Sequence, residues 1–200
     1  MKGDEESVPS PPATEGKPVR AFVALPLPAA LQDAVAVSIG GLKQALPGVR
    51  FVRAEGVHVT LRFLGWTRAA VLSSMEAPLS AAAAACPPLE VAVRGLGMFP
   101  PRGSPRVLWL GTEMPPAVHA LQAACEGAAV AAGFERETRA FHPHLTLGRW
   151  RDRARRPALP AVDLGSGRID RLGLFRSQLR SSGSEYTLLA VFPLRGDGGR

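Results

Sequence analysis

Gly56-Val57-His58-Val59-Thr60-Leu61-Arg62-Phe63-Leu64-Gly65 decides how this chain is read, because its pattern returns at Phe141-His142-Pro143-His144-Leu145-Thr146-Leu147-Gly148-Arg149. Both stretches contain His-x-Thr-Leu. In a β-strand, alternate side chains point to opposite faces. The first copy then shows His58, Thr60 and Arg62 on one face and Val57, Val59, Leu61 and Phe63 on the other. In the second, Leu145 and Leu147 face the core while His144 and Thr146 face outward. Each copy predicts a strand with an apolar back and an imidazole plus a hydroxyl in front, and two such fronts can make one site.

Working outward, Val19 to Pro26 reads as a strand stopped by proline, and Leu31, Val35, Ile39, Leu42 and Leu46 then recur at helical spacing from Pro28 to Leu46. Val49 to Val52 and Val57 to Leu64 are the next strands, and Thr67 is expected to cap an alanine-rich helix reaching about Ala85. Leu89 to Met98 and Arg106 to Gly111 form a hairpin around the Pro/Gly turn at Phe99 to Pro105. Pro115 and Pro116 open a third helix that ends at Gly133. After the second motif strand, Trp150 to Pro160 reads as a loop or one helical turn. Ile169 to Phe175 and Glu185 to Leu194 close the chain as a hairpin joined by Ser181 to Ser184.

The motif histidines stand 144 − 58 = 86 residues apart, about half the folded length. The expected fold is α+β: a bilobal, pseudo-symmetric duplication, each lobe a small antiparallel sheet backed by helices, with the active face in the cleft between lobes. Residues 1–17, poor in apolar side chains, read as a disordered tail, 18–195 as one bilobal domain and 196–200 as a frayed end.

The chain's 200 residues, 46% of them hydrophobic, can bury a sizeable core. No apolar run approaches the roughly 20 residues of a membrane span, and the first residues lack the order of a signal peptide, so a cytoplasmic address is expected. Cys86 and Cys125 read as packed, reduced thiols. The formal charge of +7 suits a polyanionic partner such as RNA. With 24 − 3 = 21 of the basic residues being arginine and alanine, glycine and proline abundant, coding bias accounts for the charge equally well.

The motifs permit a definite chemistry. Two imidazoles across a cleft can divide acid and base work, the neutral one taking a proton from an attacking water and the protonated one supplying the leaving oxygen. Thr60 and Thr146 can donate to the non-bridging oxygens of a phosphodiester held between them. Arg149, beside Thr146, is placed within reach of the same oxygens. The remaining histidines carry less: His119 reads as a surface residue of a helix, and His142 as an edge of the cleft or a solvated side chain. His142-x-His144 spacing also occurs in metal sites, but neither motif strand offers Asp, Glu or Cys at ligand spacing, so no metal is expected. A nucleophile elbow and a phosphate-binding glycine loop are both missing. The arginines at 151, 153, 155 and 156 fit a solvated turn as well as a basic surface.

On these residues the chain resembles the 2H phosphoesterase superfamily, and within it the RNA 2′,3′-cyclic phosphodiesterase branch historically called 2′-5′ RNA ligases. Arg20 to Leu27 resembles the opening strand, His58 to Gly65 and Phe141 to Arg149 the two motifs, and Leu174-Phe175-Arg176-Ser177 with Gly183-Ser184-Glu185-Tyr186 the closing hairpin. The segment after Arg149 is brief for the family. The resemblance implies metal- and cofactor-free hydrolysis of a terminal 2′,3′-cyclic phosphate to a 2′-phosphomonoester, with His58 as proton donor and His144 as acceptor. By reversibility it also implies 2′-5′ joining of RNA ends. RNA ends bearing a cyclic phosphate are the expected partners of a monomer. The rival readings are an RNA-binding module without turnover, and the same chemistry on a small cyclic nucleotide, a 2′-5′ oligonucleotide or an ADP-ribose cyclic phosphate.

Overall fold

The computed structural model of the chain describes residues 17–180 and 183–197. The expected N-terminal tail lies outside the described residues except for Lys17, as do Ser181 and Ser182 of the last turn and residues 198–200. The strands are β1 (Val19–Pro26), β2 (Val49–Phe51), β3 (His58–Thr67), β4 (Leu89–Phe99), β5 (Val107–Glu113), β6 (His144–Trp150), β7 (Asp163–Ile169), β8 (Arg171–Arg180) and β9 (Gly183–Pro193). The helices are α1 (Ala29–Ala45), α2 (Ala69–Ala85) and α3 (Ala117–Ala131). Segment 151–162 carries no helix or strand, which settles it as a loop.

All strands join one antiparallel sheet in the order β7-β4-β5-β6-β3-β1-β8-β9, with β2 adding to β6. The two halves, β9-β8-β1-β3 and β7-β4-β5-β6, mirror one another about a seam where β3 and β6 meet through Val59↔Leu145. This is the expected α+β duplication. Helix ownership is its less obvious feature: α1, which follows β1, packs against β7 of the other half, and α3, which follows β5, packs against β3. A 17-residue helix spans roughly 25 Å, far more than the roughly 5 Å between neighbouring strands. Helix α1, like α3, therefore reaches across the seam. The core it covers includes fully buried Leu25, Val35, Val59, Met75, Leu79, Leu108, Leu110, Leu145 and Leu147.

Three expectations need correction. Thr67 does not cap α2: it ends β3, and its hydroxyl donates to the carbonyls of Leu64 and Gly65, while Arg68 occupies the cap position and its side chain does not cap the helix. Ile169 belongs not to the penultimate strand but to β7, which the composition Asp-Leu-Gly-Ser-Gly-Arg-Ile conceals. That strand exists because β4 offers it an edge, with Val91↔Gly167 among the pairs. A Cβ on Gly167 would stand 2.9 Å from Pro28 and Leu31, so α1 can lie this close only over glycine. Finally, β6 begins at His144, three residues after the expected start at Phe141.

Candidate active site

The seam builds the site. With Val59 opposite Leu145 in antiparallel register, His58 comes opposite Thr146 and Thr60 opposite His144. Directly opposed side chains stand about 4.5–5.5 Å apart at Cβ and diagonal ones about 7–8 Å. The two imidazoles thus occupy one diagonal of a square and the two hydroxyls the other. Val59 and Leu145, both fully buried, anchor it from below.

Two matched bulges decide what else joins this face. Thr60 pairs with Ala24 and Arg62 with Val23, so Leu61 has no partner; Thr146 pairs with Trp109 and Gly148 with Leu108, so Leu147 has none. An unpaired residue reverses the alternation beyond it. This overturns the expected placing of Arg62 in front and Phe63 behind. Phe63 is 56% exposed and lines the cleft, whereas Arg62 is buried on the helix side. There its Nε lies 2.9 Å from Glu126 Oε2 of α3 and its guanidinium donates to the Glu135 carbonyl. The second bulge turns Arg149 to the cleft with Thr146.

Each imidazole is held in the same way. Nδ1 of His58 lies 2.7 Å from the Gly56 carbonyl, and Nδ1 of His144 lies 2.7 Å from the His142 carbonyl. A carbonyl can only accept, so Nδ1 carries the hydrogen and Nε2 is left for a substrate. His58 stacks on Phe22 at 4.6 Å between ring centres, with the Tyr186 edge at 5.2 Å. His144 has the Phe99 edge at 5.2 Å and Trp109 at 6.2 Å. Burial pushes the His58 pKa down to about 4; the Gly56 carbonyl opposes this, and the nearby charge of His144 adds to it. His58 is therefore neutral at pH 7 while the cleft is empty.

The cleft has a volume of about 530 Å3 and its lining includes His58, Thr60, Thr146 and Arg149. His144 stands just outside that lining, near enough to act on His58. Arg20, Arg50, Arg53 and Arg180 also line it, and among the described residues no carboxylate does. Of the other histidines, His119 is exposed, with its ring on Phe141, and His142 contributes its carbonyl while its side chain is exposed. Arg156 instead holds the hairpin turn through the Pro100 carbonyl at 2.8 Å. Among the described residues no group of three or more His, Cys, Asp or Glu is placed to hold a metal ion. Sequence reasoning missed the two orienting carbonyls, whose only trace is their shared place two residues before each histidine. It also missed the aromatic rings and the arginines of β1, β2 and β8, which only the tertiary fold brings here.

A family model described as the 2′-5′ RNA ligase superfamily matches residues 31–179. The chain belongs to this superfamily. It is 36% identical over 183 residues to an RNA 2′,3′-cyclic phosphodiesterase of Methanothermobacter thermautotrophicus, covering 88% of this chain and 99% of that one. It is 30% identical over 180 residues to a Geobacillus stearothermophilus protein of the same name, covering 88% and 57%. Among solved structures, Escherichia coli LigT complexed with 3′-AMP superposes with a TM-score of 0.75 at 26% identity, over 89% of this chain and 99% of that one. The superfamily member thus shares its fold with LigT along nearly its whole described length.

Proposed function

We propose that this superfamily member is an RNA 2′,3′-cyclic phosphodiesterase that opens a terminal cyclic phosphate to a 2′-phosphomonoester by acid/base catalysis from His58 and His144. The observation that carries the reading is the diagonal pair of imidazoles, each with Nδ1 tied to a carbonyl and Nε2 left free, with two hydroxyls on the crossing diagonal. The relatives named for this activity support it.

A phosphate seated over the square accepts hydrogen bonds from Thr60 and Thr146 and a charge-assisted bond from Arg149. His144 Nε2 takes the proton of a water attacking phosphorus; the bond to the 3′-oxygen breaks, and protonated His58 delivers a proton to that oxygen. One proton enters and one leaves, so the pair is reset by solvent exchange between them. A 5′-hydroxyl that takes the place of water along this same path, again with the 3′-oxygen leaving, yields a 2′-5′ linkage. The charge that develops on the phosphoryl oxygens is met by donors already in position.

Alanine at His58 or at His144 is expected to lower kcat on a cyclic-ended oligonucleotide by roughly 10²–10⁴-fold, with binding largely retained and wild-type turnover unchanged in EDTA. The kcat profile should be bell-shaped. Turnover that survives both substitutions, or that EDTA abolishes, overturns the mechanism. RNA bound without any turnover by the wild type would leave only a binding module.

A further inference from the structure

The face that carries His58 and Thr60 continues along β3 through Phe63 of the cleft lining to Trp66, which stands outside that lining. Phe63, Phe22, Phe175 and Leu188 form one rung across β3, β1, β8 and β9, and Trp66, Arg20, Ser177 and Tyr186 form the next. A second bulge, at unpaired Leu64, brings Trp66 onto this face: Phe63 pairs with Phe22 and Gly65 with Ala21. Trp66 stands opposite Arg20 and is 72% exposed; Leu179, on the same side, is 67% exposed. A half-exposed phenylalanine and a nearly bare tryptophan on a sheet face leave apolar surface uncovered where burial would be favoured. The arginines beside them, Arg20 and Arg180, both line the cleft; Arg180 is paired with Glu185 at 3.2 Å, and among the described residues no carboxylate belongs to the lining itself.

Aromatic faces interleaved with arginine on a strand that starts at a phosphate site are what a single-stranded nucleic acid needs: bases stack on the rings and phosphates meet the guanidinium groups. From Thr60 to Trp66 the strand covers at most about 20 Å, enough for more than the terminal nucleotide. A second copy of the chain would meet the same basic surface with its own, and like charges oppose that contact.

We propose that the strip from Phe63 to Trp66, with Arg20, is a binding site for the nucleotides immediately 5′ of the cyclic end, with Trp66 as the stacking platform for one of their bases. This rests on the phosphodiesterase reading and makes single-stranded RNA, rather than a mononucleotide, its preferred substrate.

The test is to measure kcat/KM on a 2′,3′-cyclic mononucleotide and on cyclic-ended oligonucleotides of increasing length, for the wild type, Trp66→Ala and Trp66→Phe. The wild type should prefer the oligonucleotides. Trp66→Ala should reduce kcat/KM on them by roughly ten-fold or more, the worth of one stacked base, and leave the mononucleotide rate unchanged. Trp66→Phe should recover most of the loss. The proposal is overturned if the wild type shows no length preference, or if Trp66→Ala affects both substrates equally or neither. It is also overturned if that substitution changes only the sedimentation behaviour, since Trp66 would then be a contact between copies. A wild type that opens neither substrate refutes the phosphodiesterase reading itself.

Discussion

His58 owes its properties to its burial rather than to its neighbours in the chain. Stacked on Phe22 and edged by Tyr186, it is desolvated enough to lose its proton well below the ordinary histidine range, down to about 4. In the role of proton donor that we propose for it, His58 must nevertheless be protonated when the leaving oxygen departs. An anionic phosphate in the cleft favours the charged imidazole, so the pKa rises on binding. Between about pH 4 and the raised value, the bound state holds more protons than the free state, and affinity falls as pH rises. Calorimetric titration with a non-hydrolysable 2′-phosphate ligand at pH 7, in buffers of different ionisation enthalpy, should show uptake of up to one proton. His58→Ala should abolish that uptake. A wild type that takes up none would exchange the roles, making His58 the base.

At the scale of elements, bulges at Leu61 and Leu147 separate what the cleft uses from what the core uses. They turn Phe63 and Arg149 outward and send Arg62 back to Glu126, so that α3 is clamped to β3. Glu126 Oε1 also accepts the Glu137 amide at 2.8 Å, which fixes the loop that follows α3. Both charged side chains are 9% exposed. Removing one partner leaves the other charge buried alone, at a cost of about 3–5 kcal/mol. Arg62→Ala or Glu126→Ala should lower the urea midpoint accordingly, and a double replacement by leucine should recover much of the loss. Two single variants as stable as the wild type would show that the pair is not needed. Strict alternation misplaced Arg62 because a bulge is a two-strand property: it depends on which residues of β1 face β3, and one strand's pattern cannot reveal it.

At the scale of the whole molecule, the halves share one sheet and exchange helices across its seam. We propose that residues 18–195 act as one cooperative unit, because opening either half would strip apolar cover from both. Unfolding in urea followed by far-UV circular dichroism and by the fluorescence of Trp66, Trp109 and Trp150, which report from both halves, should give coincident transitions. Separate midpoints would mean independent lobes. Among the described residues no helix is long and apolar enough to cross a membrane. The repeat of two motifs, the helices α1 and α3, and the hairpins were all legible in the chain, because helical and strand periodicities are local. Strand β7 was not, since its glycine-rich sequence becomes a strand only where β4 supplies hydrogen bonds and α1 approaches closely.

Sequence by itself determined that two His-x-Thr-Leu strands exist, with apolar backs and an imidazole and a hydroxyl in front, and that they belong to similar halves. Only the tertiary structure decided that they meet at Val59↔Leu145, so that imidazoles and hydroxyls alternate around one square. It also decided that arginines from β1, β2, β6 and β8 converge there, and that burial strips His58 of its proton. The reason is physical: alternation is a property of a single strand, whereas register, bulges and desolvation depend on what the rest of the chain places beside it.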